Sequence, residues 1–290
     1  MSVETANGRL QVAVCVCTRN RPSSLERCLR SVTGGDPRVA QVIVSDDSTD
    51  KATAEMVAAK FPSVRYVEGP RRGLGPNRNR AVLHASSPFV LFLDDDVTLG
   101  ENFLDAIERY HRSMPIAPEA TIATGVVREG ESLLPPGEPR FLGFMDRVPA
   151  EKVGFTALAM PATVFPRRLF EQVGFDERLV YGYDEVDLAA RARKHGYEIV
   201  LCEDAINDHE RSPVNRDMYR RHVEAARLYV TFKRYAFIEG RLAKAFVFAL
   251  VASVHLTASR VKAAGVRGVW ESAHTLGVSA LNTARYVIGR

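Results

Sequence analysis

Apolar residues fall along this chain in two rhythms. Unbroken apolar or β-branched runs occupy residues 10–17, 39–45, 64–67 and 89–93, the lengths of buried strands. Between them, apolar residues recur at helical spacing. Leu25, Cys28, Leu29 and Val32 follow Pro22, a residue suited to the first turn, and Gly34-Gly35 ends that helix. Met56, Val57 and Phe61 follow Asp50, a candidate cap. Residues 73–77 read as a glycine-containing loop, with helices over 77–85 and 103–110. This alternation predicts an α/β fold with a mainly parallel sheet covered on both faces.

Beyond a strand at 120–126 the rhythm loosens. Residues 128–150 carry Pro135, Pro136, Pro139 and Pro149 and read as a long loop or lid. A strand over 157–165, a short helix from Arg167, a helix over 184–194 and a late strand at 199–202 follow. From about Val214 the pattern is helical throughout. Residues 242–256 are very apolar, with no charge between 245 and 254. That stretch falls short of the ~20 residues a spanning helix needs. It suits a buried helix or one lying in a membrane interface. A last helix is expected over 269–287, with Trp270 and Tyr286 near its ends.

Composition changes this picture little: 46% hydrophobic and 26% charged is ordinary for a soluble chain. The distribution of charge changes it more. Residues 211–290 hold 14 Lys+Arg against 4 Asp+Glu, a local +10, whereas residues 1–210 carry −6. The basic region favours an anionic partner, a membrane surface, a phosphorylated acceptor or nucleic acid, or is a solvated helical surface. The first apolar run is too short for a secretory h-region, so the expected location is cytoplasmic, peripheral at the inner face of the membrane. Cys15, Cys17, Cys28 and Cys202 form no CxxC pair and are expected as reduced core residues.

Acidic clusters end two of the expected strands. Asp94-Asp95-Asp96 places three carboxylates together, a cost that a divalent cation offsets well, with Mg²⁺ or Mn²⁺ favoured by hard oxygen ligands. A solvated acidic turn is the plain alternative. Asp46-Asp47 ends the second strand, where carboxylates can accept hydrogen bonds from a ribose or base or cap the next helix. Both clusters sit where open α/β sheets bind ligands, outside the carboxyl ends of the strands. Arg71, Arg72, Arg78 and Arg80 surround the 73–76 loop and suit phosphates, or line a helix surface. Asp184-Glu185-Val186-Asp187 opens a helix, where acids favour the dipole or one of them serves as a general base. His209 is a candidate metal ligand or a structural histidine.

Taken in order, these segments resemble family 2 glycosyltransferases, which have the GT-A fold. Val14-Cys15-Val16-Cys17-Thr18-Arg19-Asn20-Arg21-Pro22 is similar to the family's opening strand and turn, with Arg19 where a tyrosine is common. Val42-Ile43-Val44-Ser45-Asp46-Asp47-Ser48-Thr49-Asp50 resembles "VVDDGSTD", and Gly73-Leu74-Gly75-Pro76-Asn77-Arg78-Asn79 the "G-x-x-x-ARN" loop. Leu93-Asp94-Asp95-Asp96 resembles the strand end that holds the DxD motif. Val173-Gly174-Phe175-Asp176-Glu177 with Asp184-Glu185-Val186-Asp187-Leu188 is similar to "vGgFDE…gEDvDL", with the Glu-Asp order reversed.

The resemblance, over roughly residues 10–210, implies a metal-dependent inverting transfer from a nucleotide diphosphate sugar, UDP-sugar favoured, to an acceptor hydroxyl. Glycan, lipid-linked and small natural-product acceptors all fit. Nucleotide-sugar-binding roles fall on Thr18, Arg19, Asn20, Asp46, Asp47, Arg78, Asp94 and Asp95. The metal (Mn²⁺ or Mg²⁺) falls to Asp96, Asp94 and His209, and the base to Glu185, with Asp184 close behind. The expected organisation is a catalytic domain over 1–210, with a nucleotide-binding half about 10–125 and an acceptor half about 126–210, then a basic helical region over 211–290. Residues 241–262 are expected against an anionic membrane surface. Nucleic acid is not favoured, and a homo-oligomer is open. A non-catalytic nucleotide-sugar or glycan-binding module is the alternative. A nucleotidyltransferase is less favoured, for want of a glycine-rich loop with a lysine after the first strand.

Overall fold

The computed structural model describes residues 10–147, 152–210 and 219–289. Strand β1 (Val12–Thr18) is buried along its whole length, so its sequence shows no polar alternation. Its side chains nevertheless alternate between two cores. Val12, Val14 and Val16 meet Leu25 and Leu29 on one face; Ala13, Cys15 and Cys17 meet Phe92 and Phe165 on the other. Helix α1 (Pro22–Val32) starts on Pro22 and buries Leu25, Cys28, Leu29 and Val32.

β2 (Val39–Asp46), α2 (Ala52–Lys60), β3 (Arg65–Glu68) and α3 (Leu74–Val82) follow. Asp50 accepts from the Ala52 N–H and so serves the start of α2. The expected loop at 73–77 is instead the opening of α3. Gly73, at φ +113°, makes the left-handed entry, and Pro76 is tolerated in the first turn.

β4 (Phe89–Asp94), β5 (Val97–Thr98), α4 (Phe103–Ser113) and β6 (Thr121–Glu129) come next. Within the stretch read as a lid lie three short strands: β7 (Ser132–Leu134), β8 (Glu138–Pro139) and β9 (Met145–Arg147). The last residues of that stretch, 148–150, lie outside the described residues. The strand expected over 157–165 is reduced to β10 (Thr163–Pro166), because Pro161 puts a 3₁₀ turn over Met160–Ala162 before it. α5 (Leu169–Gln172) and α6 (Asp184–Lys194) lead to β11 (Glu198–His209), which is longer than its apolar start suggests.

The sheet runs β3-β2-β1-β4-β10-β6-β11-β5, with β7 added on β6. It is parallel from β3 to β4 and mixed beyond, since β10 runs antiparallel to both its neighbours. In register, Thr18 stands beside Asp46 and Cys17 beside Asp94. The ends of three parallel strands therefore meet at one level. β11 breaks register between Leu201 and Ile206, and that bulge presses on neighbouring backbone. A Cβ on Gly100 would stand 2.0 Å from the Ile206 carbonyl oxygen, and one on Gly125 2.1 Å from that of Ala205. Beyond the bulge β11 pairs with β5, setting His209 opposite Val97.

Three helices close the chain: α7 (Arg220–Lys233), continued by a π-turn over Arg234–Ile238, then α8 (Leu242–Ala264) and α9 (Val266–Ile288). The expected start near Val214 lies outside the described residues. Lys233, at the end of α7, is 1% exposed and bonds Asp176 at 2.6 Å and Asp187 at 2.7 Å. Tyr229 donates to the same Asp176 oxygen at 2.6 Å. Depressed by the Lys233 charge and these hydrogen bonds, Asp176 titrates well below the usual carboxylate range despite its burial.

The connection between β8 and β9 is held between Tyr183, just before α6, and the C-terminal helices. The Tyr183 hydroxyl donates to the Gly143 carbonyl at 2.8 Å, and Arg227 donates to that of Leu142. Phe141 stacks on Tyr235, and Phe144 meets His255 edge-on. Gly143 has φ +81°, and a Cβ there would stand 2.3 Å from Thr231 Oγ1. Gly143→Ala is therefore expected to destabilise the protein by about 1–3 kcal/mol, measured by urea unfolding. An unchanged midpoint would show that this connection yields freely.

Candidate active site

A cavity of about 340 Å³ opens over the carboxyl ends of β1, β2 and β4. Of the side chains named from the sequence, it is lined by Thr18, Arg19, Asp47, Asp94, Asp95, Asp96 and His209. Asn20, Asp46, Arg78, Asp184 and Glu185 are not in its lining.

The acidic turn is held by arginines. Asp95 is buried; Arg21 bonds it at 2.6 Å and the Thr18 hydroxyl donates to it at 2.8 Å. Burial pushes its carboxyl up to about 7, against the pull of Arg21. Arg21 also reaches Asp96 at 2.9 Å, and Asp96 lies 3.3 Å from His209 Nε2. The Glu210 N–H donates to the Asp96 carbonyl, so the β5–β11 pairing fixes this approach in the backbone. Glu129 sits 2.9 Å from His209 Nδ1. The two carboxylates, Asp96 first, raise the histidine's pKa.

The neighbouring pair splits its duties. Asp46 accepts from the Ser48 N–H and the Tyr66 hydroxyl, both at 2.8 Å, which keeps its carboxylate out of the cavity. Asp47 faces the cavity and accepts from the Arg71 N–H at 2.7 Å; desolvation raises its pKa. It passes over Gly69, where a Cβ would lie 2.2 Å from its Oδ1. Asn20, in the left-handed region at φ +56°, accepts from the Thr49 N–H and donates its own N–H to Ser48. Asn20 and Asp46 thus shape the loops behind the cavity. Sequence had grouped both with the ligand-facing residues.

Arg78 is 4% exposed and spans two carboxylates: Asp94 at 3.0 Å and Asp184. It also lies 5.6 Å from the Phe175 ring centroid. The arginine thereby ties the end of β4 to the start of α6. Desolvation, then the Asp184 charge, push Glu185 up to about 8. Asp184 is committed to Arg78, and Glu185 bonds in turn to Asp184.

Sequence reasoning passed over Arg21, Asn77, Tyr181 and Tyr219, which also line the cavity. Arg21 was in view within the opening turn, yet its reach to the acidic turn appears only once β1 and β4 are neighbours. Asn77 bridges the Ser45 hydroxyl and carbonyl at 2.5 and 3.1 Å. Tyr181 and Tyr219 stack with centroids 4.6 Å apart. Tyr219 comes from the C-terminal side, so the cavity is not closed by residues before 211 alone.

Among the described residues, no group of three or more His, Cys, Asp and Glu side chains is arranged to hold a metal ion. Asp96 and His209 do approach each other, and Glu129 orients the imidazole as carboxylates behind histidine ligands do. That donor set fits Mn²⁺ or Mg²⁺ completed by phosphate oxygens.

Residues 13–118 match the family described as glycosyl transferase family 2. The matched segment belongs to that family. A β-1,3-glucosyltransferase of Campylobacter jejuni, named for GalNAc(5)-diNAcBac-PP-undecaprenol, is 33% identical over 95 residues. The match covers 30% of this chain and 29% of that protein, so it spans under a third of that relative. An N-acetylglucosaminyl-diphospho-decaprenol L-rhamnosyltransferase of Mycobacterium tuberculosis is 28% identical over 229 residues, 67% of this chain and 74% of that protein. Among solved structures, a mannosyltransferase of Pyrobaculum calidifontis, in complex with GDP-Man and Mn²⁺, superposes with a TM-score of 0.58 at 18% identity. The superposition covers 95% of this chain and 87% of that one. The Staphylococcus aureus TarS fragment 1–349 superposes with a TM-score of 0.53 at 16% identity, over 97% and 92% of the chains. The fold is GT-A-like, with a helical C-terminal region.

Proposed function

We propose that this protein is a metal-dependent, inverting glycosyltransferase that moves a sugar from a nucleoside diphosphate sugar to a hydroxyl of a lipid-linked acceptor. The observation that carries the reading is the meeting of Asp47, the Asp94-Asp95-Asp96 turn and His209 around one cavity at the ends of parallel strands. The lipid-linked acceptor follows the names of the Campylobacter and Mycobacterium relatives. A uridine base is the donor to test first. Residues 1–210 supply the donor site and base, and peripheral membrane association through 241–262 belongs to the same reading.

In this mechanism Asp47, Arg19 and Thr18 bind the nucleoside end. Asp96 and His209, with Asp94 beside them, would hold the cation, which when bound would supply positive charge to the leaving diphosphate. Arg21 keeps Asp95 and Asp96 apart from bulk water and in place. Glu185 takes the proton of the attacking hydroxyl, and Arg78 holds Asp184 and Asp94 in fixed relation to it. A single base and direct attack invert the anomeric centre, because no second paired carboxylate is placed as a nucleophile among the described residues.

Asp96→Ala is expected to weaken Mn²⁺-dependent donor binding by about tenfold or more in calorimetry. Unchanged binding would remove Asp96 from the site. A product that keeps the donor's anomeric configuration, read by proton NMR, would sink the inverting mechanism.

A further inference from the structure

Helices α8 and α9 form a hairpin that turns at Gly265, which has φ +58°. On α8, Ala245, Phe248, Ala252 and Leu256 face inward. The opposite face is apolar as well: Phe246, Leu250 and Val254 are 68%, 69% and 62% exposed. α9 is arranged inside out. Its buried residues are small and polar or glycine: Gly268, Ser272, Thr275, Ser279 and Asn282. Its exposed residues include Val266, Trp270, Leu281 and Ile288, with Trp270 at 76%. A helix resting on a water-soluble core shows the reverse pattern, apolar inside and polar outside.

Charge on the hairpin has one sign. Residues 241–290 contain seven Lys or Arg and a single acid, Glu271. Glu271 is already engaged by Arg221, Arg260 and Arg267. Arg241 and Lys244 pair with Glu239, Arg260 with Glu224 and Glu271, and Arg267 with Glu271, so the cations left in excess over acids, exposed Lys262 and Arg285 among them, are what complement anionic head groups. Two such hairpins facing each other would bring like charges together.

α8 has 23 residues and is long and apolar enough to cross a bilayer, longer than the 242–256 stretch read from sequence. Its inward face, however, belongs to a core shared with Leu228 and Tyr235. Arg260 ties it to Glu224 of α7 at 2.9 Å. α7 in turn is locked to Asp176 and Asp187 through Lys233. A helix held along one side by a water-facing domain lies on a membrane and does not thread it.

We propose that the α8–α9 hairpin is an in-plane anchor that sinks the exposed apolar faces of both helices into the interface of an anionic bilayer. The inference rests on the membrane-associated part of the proposed function. It extends the contact from 241–262 to a second helix and gives it a direction, with the small polar face of α9 turned inward. It also gives a route to the site, because α8 supports Phe141 and Phe144 of the connection that receives the Tyr183 hydrogen bond.

Trp270 is the chain's single tryptophan, so its fluorescence reports the anchor directly. With the full chain, vesicles of phosphatidylglycerol and phosphatidylcholine are expected to shift its emission to the blue. Brominated acyl chains are expected to quench it, and salt or pure phosphatidylcholine to weaken the effect. Phe246→Ser with Leu250→Ser is expected to lower vesicle partitioning by about tenfold per side chain, while transfer to a short-chain water-soluble acceptor stays at the wild-type level. No blue shift and no co-sedimentation with anionic vesicles would overturn the anchor. A lipid-independent dimer that buries Trp270 would overturn it too, in favour of a second copy on this face. Vesicle binding by a chain that transfers no sugar would leave the anchor standing and remove the proposed activity.

Discussion

Glu185→Gln is expected to lower kcat by about 10²–10⁴-fold while donor binding is kept. The amide retains the shape of the side chain and removes its ability to accept a proton. The pH dependence follows from the direction of the Glu185 shift. A base works when deprotonated, and this carboxyl is pushed up to about 8 by desolvation and by Asp184. In the wild type, kcat/KM should therefore rise with pH and level off above about 8; the glutamine protein should lose that limb. Stability should move the other way. A carboxyl whose folded pKa is raised favours folding while protonated, and that contribution is lost as pH rises from the unfolded value of ~4.3 through about 8. Glu185→Gln should accordingly melt higher than wild type at pH 8, with the two converging near pH 4. Equal melting at pH 8 together with an unchanged acid limb would place the base elsewhere, with Asp184 next in line.

Lys233→Met is expected to cost about 2–4 kcal/mol, because Asp176 and Asp187 lose the buried cation they share and keep only Arg178 and Arg191. For a chain of this size that is a fall in Tm on the order of 10 °C. The loss should depend on pH in a set direction. Asp176 has a depressed pKa, so its contribution is present above the unfolded carboxylate value of ~3.9 and fades as pH falls toward its folded value. The gap between wild type and Lys233→Met should hold at pH 7 and narrow below pH 4. A gap that stays constant down to pH 3 would make the lysine's role one of packing, through its contact 4.4 Å from the Tyr286 ring centroid.

The sequence displays the parallel half of the sheet because a strand buried on both faces writes itself as an unbroken apolar run. β1, β2 and β4 do so, and the acids that follow β2 and β4 can then be placed at one sheet edge. β11 was half visible for the opposite reason. Its second half is polar, and Asn207 is buried there to bridge the Gly100 N–H and the Pro161 carbonyl at 3.0 and 2.7 Å. Nothing in a polar run announces that role, so His209 could be suspected but not placed. The division between Asp46 and Asp47 was hidden too. Adjacent residues on a strand end point to opposite sides, and only the Tyr66 and Ser48 contacts show which side is the ligand's. Lys233 looked like one more cation of a basic helix. Its partners lie 46 and 57 residues away in sequence, beyond the reach of any local pattern.

That lysine bears on how such proteins diversify. The C-terminal helices of this chain cannot be exchanged between relatives as a cassette. A transplanted helix lacking the Lys233 ammonium would leave the two buried carboxylates with only their local arginines, Arg178 and Arg191 in this chain, and a recipient lacking Asp176 and Asp187 would strand the ammonium. Tyr219 adds a second condition, since the incoming segment must also complete the cavity wall beside Tyr181. The C-terminal helices and the α/β core are therefore bound to be inherited together, and a change in the proposed membrane contact has to come from the outward faces of α8 and α9.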